Sequence, residues 1–238
     1  MSARYLYAIL GGVPASAPGT GMRGEPLRIV ACGGVWAAAG EMDEAPAATA
    51  ETLRGHDAVV RRLAALTDAV LPARFGALAS DDRDLCERIT RAPGAVREAL
   101  ARVAGREQMI LRVYAAAPAN APVPDVGPRP TGAPPSARAA GDAGPGTRYL
   151  TDRAEVRRAA GDVAELAPLR AVFARFVVDE RIERHDTPPL VASVYHLVPR
   201  GAASDYQVAV EEAARPLRDV RLTVSGPWAA YAFAPEAL

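Results

Sequence analysis

Gly19-Thr20-Gly21-Met22-Arg23-Gly24 has the literal spacing of a G-x-G-x-x-G phosphate loop. Pyrophosphate binding needs that turn between a strand and a helix, because the helix N-terminus supplies the dipole and the free N–H groups. Here Glu25-Pro26 and a strand-forming run follow, so a hairpin loop is the expected reading. The three histidines, His56, His185 and His196, are too scattered for a metal site. His56 falls on or beside the apolar stripe of a helix and is expected to be a core or boundary residue. Cys32 and Cys86 form neither a disulfide framework nor a zinc motif, and small buried thiols are expected. No Ser or Cys stands in a nucleophile motif. The acid pairs Asp81-Asp82 and Glu211-Glu212 read as a helix cap and a solvated helix face. No catalytic, cofactor or metal residue is assigned.

Composition narrows the field further. Of 238 residues, 28 are basic and 28 acidic, and every basic residue is Arg. Schiff-base chemistry and a P-loop lysine are therefore excluded. The charge balance holds locally, with 14 Arg against 13 acids in 1–115 and 12 against 13 in 146–238. That argues against nucleic acid or an anionic membrane as a partner. No membrane-length apolar run and no signal-peptide pattern are visible, so a cytoplasmic protein is expected.

The elements that must position any site follow from periodicity. Tyr5–Leu10, Leu27–Cys32 and Val35–Ala38 read as strands, the last two as a hairpin across Gly33-Gly34. Between Thr49 and Val70, Leu53, Val59, Val60, Leu63, Leu66 and Val70 form a helical stripe that Leu71-Pro72 ends. Arg74–Leu78 is a short strand or turn. Helices are expected from the Ser80-Asp81-Asp82 cap to Arg91 and from Pro93 to about Ala104, then a strand over Gln108–Tyr114. Residues 116–145 hold eight Pro, four Gly and nine Ala, the composition of a linker or exposed loop. Beyond it, 148–176 reads as helix broken near Pro168, Leu190–Val198 as strand, Ser204–Ala214 as a Ser204-capped helix and Val220–Val224 as a last strand. Gly226-Pro227 is expected to stop that strand. The class is α+β, with two small mixed domains at 1–115 and 146–225 around the 116–145 linker, and a tail at 226–238.

Two local features stand out as contacts. Arg74 and Phe75 are delivered by the corner after Leu71-Pro72, either as a structural corner or as a partner contact. The tail concentrates Trp228, Tyr231 and Phe233 in irregular chain, suited to packing between domains or to an apolar partner.

Taken together, several stretches resemble the gas vesicle GvpF/GvpL family. They are the opening strand Tyr5-Leu6-Tyr7-Ala8-Ile9, the corner Leu71-Pro72-Ala73-Arg74-Phe75-Gly76, Gly146-Thr147-Arg148-Tyr149-Leu150, Tyr195-His196-Leu197-Val198-Pro199-Arg200 and Gly226-Pro227-Trp228-Ala229-Ala230-Tyr231-Ala232-Phe233. The tail has Ala229-Ala230 where the family usually has prolines. The resemblance implies a non-enzymatic accessory protein of gas vesicle formation. It implies two α+β domains, the second ferredoxin-like, with the tail near their junction. The implied partner is the hydrophobic shell protein GvpA, whose aggregation the protein would limit or whose assembly it would help, together with other accessory proteins, in the cytoplasm and associated with the vesicle. A small-molecule-binding or enzymatic α+β protein is the alternative that the residues alone leave open.

Overall fold

The structure is a computed structural model that describes residues 3–115, 163–218 and 220–235. Its first sheet has the order β2 (Leu27–Cys32), β3 (Val35–Met42), β1 (Ala3–Leu10) and β4 (Val70–Pro72), all antiparallel, with β5 (Leu78–Ala79) also pairing β1. Central strand β1 is buried from Tyr5 to Leu10, as befits an unbroken apolar run covered on both faces. A register shift between Leu6 and Ala8 sets which face each side chain takes. Tyr5, Tyr7, Ala8 and Leu10 all join the cluster of helix α1 (Ala50–Leu66), through Val59, Val60 and Leu63. Leu6 and Ile9 join the opposite cluster, under α2 (Asp82–Ile89) and α3 (Pro93–Val103). An extra residue in one strand breaks strict alternation, which is how Tyr7 and Ala8 reach the same side.

Helix α1 starts with a reciprocal cap. Thr52 N–H donates to Thr49 Oγ1 at 3.2 Å, and Thr49 N–H donates to Thr52 Oγ1 at 3.0 Å. The helix stops at Leu66 rather than at the Leu71-Pro72 boundary expected from its stripe. Val70–Pro72 is drawn off as β4 because it pairs with Ala8–Leu10 of β1.

The second sheet has the order β7 (Asp179–Arg184), β8 (Leu190–Pro199), β6 (Arg106–Ala115) and β9 (Val220–Trp228), again all antiparallel. One face packs Met109, Leu111, Val113 and Val194 against Phe173 of α4 (Arg170–Phe176) and against Tyr206 and Val210 of α5 (Ala203–Ala214). The described elements run β6, α4, β7, β8, α5, β9.

This pairing corrects several expectations. Strand β6 ends the sequence's first domain, 1–115, yet its partners are β8 and β9, so the sheets divide near Gly105. The 116–145 segment lies outside the described residues, as does all of 146–162. Because β6 precedes it, it does not separate the two sheets. Strand β9 runs on through Gly226-Pro227 to Trp228 instead of stopping there. Helix α5 begins after Ala202 with no side-chain cap, so Ser204 is not its cap. Cys32 and Cys86 are bonded to each other, not free thiols, because the fold brings the end of β2 and the middle of α2 to a Cα separation of 4.9 Å.

Candidate functional site

The tail builds its site by leaving the sheet. Ser225 faces Ile110 across the β6–β9 pair and Trp228 faces Gln108, so Gly226 and Pro227 together oppose Met109. This bulge turns the chain off the sheet. Only glycine fits its first position. Gly226 has φ +131°, and an added Cβ would sit 2.8 Å from Met109 Sδ and 2.9 Å from the Gln108 carbonyl oxygen.

Beyond the bulge the tail is gripped from both sides. The second sheet holds its backbone. Buried Gln108 accepts the Ala232 N–H at 2.8 Å, and Arg181 donates to the Ala232 carbonyl. The Arg181 guanidinium lies 5.4 Å from the Phe233 ring centre. Helix α1 holds its side chains. The Arg61 guanidinium lies 4.7 Å over the Trp228 ring, and Asp57 accepts from Arg61 Nε at 2.6 Å. The other Asp57 oxygen accepts the Tyr231 hydroxyl at 3.2 Å. Phe233 is 1% exposed and joins Ala230, Leu71 and Ala73 of the first half and Leu197 of β8 in one apolar cluster. Trp228 is half-buried and Tyr231 is 37% exposed. The three tail aromatics thus divide: Phe233 is core, Trp228 lies on α1, and Tyr231 keeps one side in solvent.

A second bond set seals the same junction. Helix α1 has no basic residue in its last turn. Arg200, from the end of β8, supplies the cation, donating to the Thr67 and Asp68 carbonyls at 3.4 and 3.2 Å. Asp68 O also accepts Gly105 N–H at 3.0 Å, and Gly105 O accepts Arg200 N–H at 2.9 Å.

Between these grips lies a groove of about 220 Å³. Ala64, Ala65, Val70, Val103, Ala229 and Ala230 give it small apolar walls, and Arg61, Arg106 and Arg200 rim it beside Glu107. Arg106 and Arg200 direct their hydrogen bonds to backbone carbonyls. Such a surface suits an apolar segment that carries acidic groups at its margin.

The Arg74-Phe75 corner belongs to an adjacent cluster. Phe75 is half-buried, its ring centre 5.7 Å from His56 and 6.3 Å from Tyr5, whereas Arg74 is exposed. Tyr5 hydroxyl accepts Gly76 N–H at 3.2 Å and bonds His56 Nδ1 at 3.0 Å. His56 is 3% exposed, and among the described residues its Nε2 makes no well-formed hydrogen bond, although the Ala73 backbone lies close enough to favour its charged form. Burial holds its pKa down at about 4, so it is neutral at physiological pH. Phe75 and the tail therefore meet successive residues of α1, His56 and Asp57. Sequence reasoning missed Asp57, Arg61, Gln108 and Arg181, whose tail partners lie 51 to 174 positions away.

The glycine-rich loop joins β1 to strand β2 rather than to a helix. Tyr7 donates to Glu25, Met22 N–H donates to Tyr7 hydroxyl at 2.9 Å, and Arg62 of α1 donates to the Pro18 carbonyl at 2.9 Å. Among the described residues no group of three His, Cys, Asp or Glu could hold a metal ion.

The geometry defines an α+β protein of two antiparallel sheets locked by its own tail, with a groove at the junction. A family model described as gas vesicle synthesis protein GvpL/GvpF matches residues 3–235, and the chain belongs to that family. It is 28% identical over 260 residues to "Gas vesicle protein L" of Streptomyces sp. (strain CB03234), covering 97% of this chain and 92% of that protein. Its fold is that of the crystal structures of gas vesicle protein GvpF from Anabaena sp. PCC7120 and Microcystis aeruginosa. The TM-scores are 0.66 and 0.68, the identities 15% and 16%, and 99% of this chain is covered in both, with 97% and 100% of the respective structures.

Proposed function

We propose that the chain is a non-enzymatic accessory protein of gas vesicle formation that binds the hydrophobic shell protein GvpA at the junction groove and limits its aggregation. Family membership supports the role in gas vesicle formation. The observation that carries the binding reading is the groove, with small apolar walls and an arginine rim beside a half-exposed Tyr231. An aggregation-prone partner segment could shelter its apolar side chains there while the arginines meet its carboxylates. No described helix is long and apolar enough to cross a membrane, which is compatible with a cytoplasmic protein associated with the vesicle. The two-unit reading is kept with its division near Gly105, and the order β6, α4, β7, β8, α5, β9 supports a ferredoxin-like second unit.

Co-purification with tagged GvpA tests the proposal. The full chain should be retained, and Ala65→Trp, which fills the groove, should lower retention at least tenfold with an unchanged melting midpoint. Equal retention of both proteins would reject the groove as the contact.

A further inference from the structure

Cys32 closes β2, immediately before the Gly33-Gly34 turn, and Cys86 sits in the middle of α2. Their bond closes a loop with a sequence separation of 54, enclosing β3, α1, β4 and β5. Helix α2 is short and rests on the sheet through two buried residues, Leu85 and Ile89. Its outer face carries the i,i+4 pairs Arg83–Glu87 and Asp84–Arg88. The bond ties the middle of α2 to the end of β2, while Arg4 and Arg28 hold Asp82 at the start of α2.

The two sulfurs differ in access. Cys32 is 1% exposed, whereas Cys86 is half-buried. The Cys86 sulfur also lies 3.4 Å from the Ala31 carbonyl oxygen, which can accept an S–H from the reduced side chain. A reduced Cys86 side chain thus has an acceptor at hand.

We propose that Cys32 and Cys86 form a reversible thiol–disulfide site that exchanges with low-molecular-weight thiols and disulfides, with Cys86 as the sulfur attacked. In the reducing direction a thiolate RS⁻ bonds to Cys86 Sγ, the Cys32–Cys86 bond breaks, and Cys32 leaves as thiolate. A second RS⁻ attacks the small-molecule sulfur of the mixed disulfide and releases RSSR and the Cys86 thiolate. Both protein thiolates then take up protons, so one disulfide and two RSH give two protein thiols and RSSR. Cytosolic thiols are normally kept reduced. The cytoplasmic placement proposed above therefore makes the pair a switch rather than a permanent staple, while the exchange itself does not depend on GvpA binding. Reduction frees α2 from the hairpin end and leaves the second sheet untouched.

Glutathione serves as the probe. The full chain is equilibrated in buffers from fully reduced to fully oxidised glutathione, quenched with an alkylating reagent and weighed. Two labels should appear together at the reducing end and none at the oxidising end, with the same curve from either direction. Amides of 83–90 should lose hydrogen-exchange protection on reduction, and those of 203–214 should not change. With oxidised glutathione, Cys32→Ser should take an adduct at Cys86 at least tenfold faster than Cys86→Ser takes one at Cys32. Two labels in every buffer, none even with excess reduced glutathione, unchanged α2 protection, or a faster adduct at Cys32 would overturn the proposal.

Discussion

Each half of the molecule buries one histidine, and the two are treated differently. His196 of β8 is fully enclosed. Its Nδ1 meets Tyr206 hydroxyl at 2.7 Å and its Nε2 meets Glu180 at 2.7 Å, and Glu180 also pairs with Arg170 at 3.3 Å. Burial pushes the Glu180 carboxyl up, but His196 and Arg170 outweigh it and leave it below its usual range. His56 of α1 bonds Tyr5 through Nδ1, and among the described residues no side chain meets its Nε2. The second half thus gives its histidine a polar partner on each ring nitrogen. The first leaves its histidine neutral, one residue before Asp57, where the tail is anchored. His56 shares α1 with Asp57, which anchors Tyr231, and with Arg61, Ala64 and Ala65, which form one wall of the groove.

Loosening the tail should have the largest effect. Phe233→Ala removes a fully buried ring from the cluster that both halves share, and should cost about 3–5 kcal/mol in denaturant unfolding. A loss under about 1 kcal/mol would mean that the clasp is not part of the core.

The His56 side can then be tested by pH. His56 takes up a proton below about pH 6.5 when unfolded but only below about 4 when folded. The unfolded chain binds more protons in that window, so the stability contributed by neutral His56 is full above it and lost as pH falls. Between pH 7 and pH 5 the loss should be about 2 kcal/mol. His56→Gln should remove that part of the slope, and an unchanged slope in paired denaturation curves would contradict it.

Tyr206→Phe sharpens the other side. It takes away one partner of His196 within a closed network and should cost about 1–2 kcal/mol of stability. Tyr231→Phe should be the mildest, about 0.5 kcal/mol or less by thermal unfolding, because its hydroxyl bonds Asp57 at an exposed position that Arg61 also holds.

How much of this could be read from the chain depends on distance along it. Strand β1 and helix α1 were legible because Tyr5–Leu10 is unbroken apolar sequence and Val59, Val60 and Leu63 mark a helical face. Strand β7 was missed: Asp-Glu-Arg-Ile-Glu-Arg shows no apolar alternation, and it forms an edge strand by pairing with β8. Strand β6 is legible as a strand but not as a member of the second sheet, since local pattern says nothing about partners 76 to 93 positions away. The Cys32–Cys86 bond was invisible for the same reason. Trp228, Tyr231 and Phe233 could be singled out by their crowding, and Gly226-Pro227 as punctuation. That the punctuation is a bulge, not a stop, depends on Met109 and Gln108 across the sheet.

The proposed contact with the shell protein GvpA has a definite place on the chain. Hydrogen exchange of the full chain, with and without GvpA, reads this position by position. Added protection should fall on the groove, at 61–70, 103–107 and 227–230, with 203–214 unchanged. Protection centred on 203–214, or none in the groove, would contradict the assignment.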